Sequence, residues 1–466
     1  RTLLLTLVSF SALAQVTAVL PPVVDIVPTL VPKGLPPPPP VQALPTLPPP
    51  TFPTAAPATP AAPAVAVPID APAEIPADLW ERIRRGFAMP DLQDEFVTNR
   101  EQWYATRPDY IARMTDRSKK YLYHVVEELE ARKMPTELAL LPFIESAFNP
   151  QAVSTAKAAG MWQFIPSTGK FFSLKQNMFR DDRRDVQAST RAALDYLQKL
   201  YGMFGDWHLA LAAYNWGEGS VGRAIAKNQK LGLPTTYSDL KMPSETRYYV
   251  PKLQAVKNIV VAPAQFNVQL ETIPNHPHFR SVPITRDMDV AVAAKLAEVP
   301  LADFKALNPS MSRPVILAAG TTQILMPWDN ADRFAANLEQ HKGPLATWTA
   351  WTAPTTMKPT DAAKRVGMSE SLLREVNGIA LKSGLIKAGS TLLIPRAAHK
   401  TEDVTAHVAD NGQLTMFVPP PPKCKVRTAK NGKKVTICAK PAKGSKVVAK
   451  AQTNAQTKAK IKKKTN

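Results

Sequence analysis

The stretch Leu138-Ala-Leu-Leu-Pro-Phe-Ile-Glu145-Ser146 places one carboxylate at the end of an apolar run. Glutamate is rarely buried without a partner, and burial disfavours its charged form and so raises its pKa. A carboxyl group that stays protonated near neutral pH can act as a general acid, which is the chemistry that cleavage of a glycosidic bond requires. Taken alone, the stretch also fits a glutamate that faces water at the end of a half-buried helix.

Helical patterning surrounds this stretch on both sides. We predict helices over 116–132, 185–201, 207–214 and 250–261. In the first of these, one apolar face comprises Tyr121, Leu122, Val125, Val126 and Leu129. Turns that contain Gly and Pro separate the helices, and alternating β-branched runs are scarce before residue 265. The sequence therefore predicts a mostly α domain over residues 78–265.

A repeat follows the α domain. Ala293-Ala-Lys295 corresponds to Ala362-Ala-Lys364, and the segment that ends at Asn308 corresponds at the same offset to the one that ends at Asn377. Each copy is predicted to contain two helices and then a strand stopped by Pro, preceded by a strand at 282–284 or 347–349. A fixed offset indicates duplicated modules, here two small α+β (βααβ) units over 280–330 and 345–397.

The two ends of the chain differ from its middle in composition. Residues 1–14 form a short apolar segment that ends in Ala12-Leu13-Ala14, which is typical of a signal peptide, and residues 15–77 form a Pro/Ala-rich linker. No stretch is long and apolar enough to predict a transmembrane segment. We therefore expect an exported protein of the periplasm or cell envelope.

The net charge of +20 is concentrated at the other end, where no Asp or Glu follows Lys423. Residues 400–466 are predicted to form a basic, largely disordered tail. An anionic envelope polymer or a membrane surface fits such a tail, and so does a solvated extension that binds nothing. Nucleic acid is not expected, because the tail from Lys423 onward lacks aromatic residues.

Cysteine and histidine usage gives no prediction of a metal or cofactor. Cys424 and Cys438 lie in the basic tail and could form a disulfide in an oxidising compartment. His276 and His278 lack the further ligands of a metal site, and no Gly-rich phosphate loop is evident. We predict that the protein uses no cofactor.

Four segments are rich in groups suited to a sugar polymer, beginning at Glu145, Gly160, Ala213 and Glu245. Rings that could lie on pyranose faces belong to Trp162, Tyr214, Trp216 and Tyr249. Gln163 and Asn215 offer amides for sugar hydroxyl and acetamido groups, Ser146 could orient Glu145, and Gly160 and Gly217 could let the backbone approach a ligand. Singly, these residues are equally typical of core packing and capping, and Glu245 fits a structural ion pair as well as a catalyst.

Together, the four segments resemble the motif set of the soluble lytic transglycosylase superfamily, which has a goose-lysozyme-like fold. Segments 141–150, 160–169 and 205–217 are most similar to its membrane-bound murein transglycosylase D branch. The repeats resemble LysM modules, which bind N-acetylglucosamine-containing glycans, the second copy more closely than the first. That branch is often anchored through a lipidated Cys, and because no Cys precedes Cys424, we do not expect such an anchor here.

The resemblance implies a catalytic role for Glu145 as the sole acid/base, with Ser146, Gln163, Asn215 and Tyr249 lining the site. The implied reaction cleaves the β-1,4 bond between N-acetylmuramic acid and N-acetylglucosamine in peptidoglycan and leaves a 1,6-anhydro end. Nearby carboxylates are then expected to be structural or solvated, namely Asp181, Asp182, Asp185 and Glu218. Two alternatives remain open at this point: a hydrolytic muramidase on the same fold and a non-catalytic peptidoglycan-binding protein.

Overall fold

A computed structural model describes residues 76–397 and 402–417, together with the backbone of 424–428 and 434–438. The chain divides into two compact units. One contains the residues up to Trp351 together with 391–413, and the other contains 352–390 and the residues from 414 onward. The predicted signal peptide, the Pro-rich linker up to residue 75 and most of the basic tail lie outside the described residues.

The first part of the larger unit is helical, as predicted. Its α-helices are α1 (Leu79–Arg85), α2 (Glu95–Ala105), α3 (Pro108–Ser118), α4 (Leu122–Ala131), α5 (Leu141–Ser146), α6 (Pro166–Phe171), α7 (Val186–Phe204), α8 (Trp207–Trp216), α9 (Glu218–Lys230), α10 (Ser244–Arg247) and α11 (Tyr249–Val261). Short 3-10 helices span Thr136–Leu140, Tyr237–Asp239 and Pro263–Phe266.

The prediction of one helix over 116–132 is wrong at its start. The chain turns between α3 and α4, and Tyr121 is buried there with its hydroxyl donating to the carbonyl of Ala306 at 2.8 Å. The local helical pattern of the sequence does not reveal this turn. The apolar face predicted for the helix is nevertheless buried from Tyr121 to Leu129.

α7 and α8 pack against each other in the helical core. Each begins at an aspartate that accepts a hydrogen bond from a backbone amide: Asp185 from Ala188 at 2.8 Å and Asp206 from Leu209 at 2.7 Å. Such caps satisfy amides that have no partner within the helix. Gly205, with a φ of 66°, ends α7 one residue before the cap of α8, so the two helices meet at a tight turn.

A buried carboxylate fixes the segment that leads into α5. Glu137 lies in the 3-10 helix Thr136–Leu140, is 1% exposed, and accepts hydrogen bonds from the amides of Ala88 at 3.0 Å and Met89 at 2.9 Å. It also pairs with Lys257 of α11, whose Nζ lies 3.0 Å away. The start of α5 is thereby held against the loop after α1 and against α11.

The first repeat shows the predicted order of strand, two helices and strand, and it belongs to the larger unit. Its elements are β1 (Phe279–Pro283), β2 (Met288–Asp289), α12 (Val290–Leu296), α13 (Leu301–Leu307), β3 (Val315–Ile316) and β4 (Gln323–Pro327), followed by α14 (Ala331–Gln340). β1 pairs antiparallel with β4, and β2 with β3. Asn308 ends α13, and its side chain bonds both the amide and the carbonyl of Leu325 in β4 at 2.8 Å.

The second repeat also has the predicted order, in β5 (Trp348–Thr352), α15 (Pro359–Arg365), α16 (Glu370–Asn377), β6 (Leu385–Ile386) and β7 (Thr391–Pro395). β5 pairs with β7 in the larger unit. α15 and α16 belong to the smaller unit, where β6 pairs with β8 (Met416–Phe417).

The prediction of a largely disordered tail from residue 400 is wrong for its first part. Helix α17 (Ala406–Asn411) packs within the larger unit, where Ala409 is buried and Asn177 donates to the carbonyls of Ala409 and Asp410. These residues precede the lysine-rich part, and their apolar side chains permit packing. Farther on, β9 (Cys424–Thr428) pairs antiparallel with β10 (Lys434–Cys438). The disulfide stays a prediction.

Candidate active site

Glu145 lies at the end of α5, where the chain turns sharply. Leu141, Pro142 and Phe143 of this helix are buried, and Glu145 is half-buried. Ala147 and Phe148 follow with positive φ angles of 51° and 53°, in the left-handed region that non-glycine residues seldom adopt. Such strain persists only where the surrounding structure enforces it, and it clusters at functional sites.

Tyr249 is the direct partner of Glu145. Its hydroxyl donates a hydrogen bond to Oε1 of Glu145 across 104 residues of sequence. Tyr249 is the first residue of α11 and is 3% exposed. The predicted stacking of this ring on a sugar is therefore wrong, because the ring is buried and only its hydroxyl faces the carboxylate.

The environment of Glu145 brings its pKa close to neutral pH. Burial raises the pKa of Glu145 to about 7, while the hydrogen bond from Tyr249 and the positive charge of Lys252 act to lower it. The negative charge of Glu245 acts in the raising direction. A carboxyl group with this pKa is present in both protonation states near pH 7, as a group that first donates and then accepts a proton must be.

The segment that begins at Gly160 supports the site in a way the sequence did not predict. Gly160 has a φ of 85°, and a Cβ there would lie 1.9 Å from the carbonyl oxygen of Arg183, so the close approach is to the protein's own backbone. Trp162 is fully buried and donates to Oγ1 of Thr190 at 3.1 Å. The predicted stacking of Trp162 on a sugar is therefore wrong in this structure, and its indole belongs to the core.

Gln163 and Ser146 connect this segment to α5. Gln163 is partly exposed, has a φ of 50°, and donates from Nε2 to the carbonyl of Gly160 at 2.7 Å. Ser146 donates to the carbonyl of Met161 at 3.0 Å, which ties the residue after Glu145 to this turn. Ser146 thus orients Glu145 through the backbone rather than through a bond to its carboxyl group.

The end of α8 completes the surroundings of Glu145. The Tyr214 hydroxyl donates to the carbonyl of Trp162 at 2.9 Å, and burial, with the Glu145 charge as a second cause, raises the pKa of Tyr214 well above its ordinary value. Asn215 accepts a hydrogen bond at Oδ1 from Thr246 of α10 at 2.8 Å. Tyr214, Asn215 and Trp216 are all half-buried.

The other acidic residues near the motifs have structural partners, as expected. Asp181 pairs with an arginine, Asp182 and Asp185 accept from backbone amides, and Glu218 accepts from a tyrosine hydroxyl. Lys252 is a residue of the site that sequence reasoning missed. It follows Tyr249 by three positions on α11, and that spacing places it on the same helix face.

Within residues 76–397 and 402–417, no cluster of His, Cys, Asp and Glu has the composition of a metal site. Over the same ranges, no helix combines the length and apolarity needed to cross a bilayer.

Comparison with known proteins identifies the family. A family model for the transglycosylase SLT domain matches residues 125–233, and one for the LysM-like domain of lytic transglycosylase MltD matches residues 278–343. Membrane-bound lytic murein transglycosylase D of Escherichia coli is 34% identical over 358 residues, which cover 72% of this chain and 78% of that protein. The chain belongs to the lytic murein transglycosylase D family.

Other relatives match over a shorter stretch of the chain. Membrane-bound lytic murein transglycosylase F of Yersinia enterocolitica is 35% identical over 126 residues, 24% of each chain. The present member of the transglycosylase D family is thus a lytic murein transglycosylase, an enzyme of the peptidoglycan of the cell envelope. The SLT match includes Glu145, Gln163 and Asn215 and ends before Tyr249.

Proposed function

We propose that this lytic transglycosylase cleaves the β-1,4 bond between N-acetylmuramic acid and N-acetylglucosamine with Glu145 as its single acid/base, leaving 1,6-anhydro-N-acetylmuramic acid ends. The observation that carries the proposal is the state of Glu145. It is partly exposed, its pKa is raised to about 7, and it accepts a hydrogen bond from the buried Tyr249.

One carboxyl group suffices for such a reaction because the proton returns to it. Protonated Glu145 gives its proton to the glycosidic oxygen as the bond from that oxygen to the muramyl anomeric carbon breaks. The Glu145 carboxylate then takes the proton of the muramyl C6 hydroxyl as that oxygen bonds to the anomeric carbon. No water enters, and Glu145 ends protonated as it began. The Tyr249 hydroxyl stabilises the carboxylate between the two steps.

The proposed site includes the residues that surround Glu145. Gln163, Tyr214, Asn215 and Trp216 are partly exposed and supply polar and aromatic contacts for the glycan. Ser146, Trp162 and Tyr249 support these residues through hydrogen bonds within the protein. We also propose that the catalytic domain extends over 78–265 and that the modules over 280–330 and 345–397 bind N-acetylglucosamine-containing strands.

Export to the envelope follows from the proposed substrate. Peptidoglycan lies outside the cytoplasmic membrane, and the relative from Escherichia coli is named membrane-bound. The basic residues after Lys423 suit an anionic envelope polymer or a membrane surface.

Product mass tests the reaction. Purified peptidoglycan is incubated with the full chain, and the released fragments are analysed by mass spectrometry. An anhydro end is lighter than a reducing end by one water, so we expect fragments with anhydro ends. Reducing ends alone would instead support a hydrolytic muramidase, in which water attacks the anomeric carbon.

Glu245 is the residue to test for the hydrolytic alternative, because its charge acts on Glu145 and ordinary glycosidases use two carboxyl groups. We expect Glu245→Gln to keep turnover within about fivefold, whereas loss of a required general base costs about 10²- to 10⁴-fold. Removing this like charge lowers the pKa of Glu145, so the pH profile shifts towards lower pH. Turnover and its pH dependence are measured together, and a 10²-fold loss (about the lower limit for a required base) would contradict the single-carboxylate mechanism.

A further inference from the structure

A single hydroxyl joins two helix ends next to Tyr249. The Tyr237 oxygen lies 2.6 Å from the carbonyl oxygen of Thr246 and 3.0 Å from that of Arg247, at the end of α10. It also accepts a hydrogen bond from the amide of Val250, at the start of α11, at 3.3 Å. The last carbonyls and first amides of a helix have no partners within it. The Tyr237 hydroxyl thus serves both helices at once.

The junction between these helices sets the direction of Tyr249. Tyr248 alone separates α10 from α11, and its backbone angles (φ −92°, ψ −2°) lie at the edge of the helical region. A rotation at Tyr248 would swing the start of α11, where Tyr249 extends its hydroxyl to Glu145. The geometry of the Glu145–Tyr249 contact therefore depends on how firmly the junction is held.

Tyr237 is itself well fixed. It is 2% exposed and is the first residue of a 3-10 helix. Thr236 and Asp239 cap the start of this helix with reciprocal hydrogen bonds between side chain and backbone. The amide group of Asn228 in α9 donates to the carbonyls of Pro234 and Asp239 on either side of Tyr237, at 2.8 and 3.1 Å. The Tyr237 hydroxyl therefore belongs to a segment that is fixed by several hydrogen bonds.

We propose that Tyr237 is a positioning residue of this transglycosylase: by bridging α10 and α11 it aims the Tyr249 hydroxyl at Glu145. It acts through Tyr249 and not on the substrate. The inference rests on the proposed role of Glu145 as acid/base.

Tyr237→Phe tests the inference, because it removes the bridging oxygen and keeps the buried ring. In the full chain acting on soluble peptidoglycan strands, we expect kcat to fall about 5- to 20-fold, since small misplacements of catalytic groups are costly. KM should stay within about twofold, because ground-state binding is not altered.

The pH profile gives a readout that mere destabilisation would not move. The groups that act on Glu145 are Tyr249 and Lys252 of α11 and Glu245 of α10, while Tyr214 of α8 is itself affected by the Glu145 charge. The hydrogen bond from Tyr249 favours the carboxylate, so a weaker contact raises the pKa of Glu145. The pH midpoint assigned to Glu145 should therefore move upward in Tyr237→Phe.

Tyr121→Phe is the matched control. Tyr121 is also a buried tyrosine, 3% exposed, whose hydroxyl donates to a backbone carbonyl, that of Ala306. Its loss removes a comparable hydrogen bond without touching the α10–α11 junction. We expect a lower melting temperature with unchanged kcat and pH midpoint.

A double variant decides whether Tyr237 acts through Tyr249. In a Tyr249→Phe background, Tyr237→Phe should cause less than about a twofold further loss of kcat. A difference of about twofold is the error within which the effects of independent sites add, so a smaller loss shows that the two residues act together. The inference would be overturned if Tyr237→Phe kept the wild-type kcat and pH midpoint. It would also be overturned by additive losses in the double variant, or by an equal shift of the pH midpoint in Tyr121→Phe. If Glu145→Gln kept its activity, the proposed function itself would fail, which is a separate result.

Discussion

Replacing Glu145 with Gln is expected to reduce the turnover of purified peptidoglycan by about 10²- to 10⁴-fold, the usual contribution of a general acid or base. Gln keeps the size of the side chain and can still accept the hydrogen bond from Tyr249, but it carries no proton for the glycosidic oxygen. Binding should change little, so the loss appears in kcat. The release of anhydro fragments, followed over time, measures the effect.

The same substitution should stabilise the protein at alkaline pH. The pKa of Glu145 in the folded protein is about 7, above the ordinary value of 4.5, so the folded protein holds a proton that the unfolded chain releases between these values. Stability from this group is therefore present at low pH and is lost as the pH rises from 4.5 to about 7. We expect Glu145→Gln to raise the free energy of unfolding by about 1–3 kcal/mol at pH 8 and to have little effect at pH 4.

Glu218→Gln is the control for both measurements. Glu218 also accepts a hydrogen bond from a tyrosine, Tyr196, at 2.9 Å. Although burial acts to raise the pKa of Glu218, hydrogen bonds from its own amide and from Tyr196 leave it below the ordinary value. Glu218→Gln should therefore keep activity and lose stability at pH 8. Turnover by Glu145→Gln within about tenfold of the wild type would show that Glu145 is not the acid, since acids contribute more than this.

The sequence predicted the helical framework because periodicity is a local signal. The apolar positions from Tyr121 to Leu129 are buried, and α7 and α8 begin within one residue of their predicted starts at 185 and 207. The break before α4 was not predictable in this way, because the apolar pattern continues through it and the Tyr121 contact with Ala306 joins distant parts of the chain. Likewise, the order of strands and helices in the repeats follows from the pattern, but the packing of α17 depends on Asn177, far away in sequence.

The candidate site was predictable in its residue types but not in their orientation. Sequence shows that residue 162 is an aromatic side chain, but not that its ring lies in the core, bonded to Thr190. Gly160 was predicted to let the backbone approach a ligand, but the close neighbour in the structure is the Arg183 backbone. The contact between Glu145 and Tyr249 joins residues 104 positions apart, and only the resemblance to a known family placed both in one site before the fold was known.

Lys257→Met should produce the largest loss of stability among the substitutions considered, about 3 kcal/mol. Lys257 Nζ lies 3.0 Å from the Glu137 carboxylate and 2.8 Å from that of Asp91. Glu137 is 1% exposed, and breaking a buried ion pair leaves an uncompensated charge that typically costs about 3–5 kcal/mol. We expect the lower end of this energy range because the amides of Ala88 and Met89 still donate hydrogen bonds to Glu137. Urea unfolding measures the change.

Two further variants separate the buried charge from other effects of the substitution. Lys119→Met removes an ion pair with the exposed Glu271, and surface pairs of this kind contribute about 0–1 kcal/mol. In Glu137→Gln/Lys257→Met the uncompensated charge is gone, so at least about half of the lost stability should return, a non-additive result expected for groups in contact. If Lys257→Met cost no more than Lys119→Met, the Glu137–Lys257 pair would not be what holds the start of α5 against α11. Apolar packing and the hydrogen bonds from the amides of Ala88 and Met89 would then have to hold this segment.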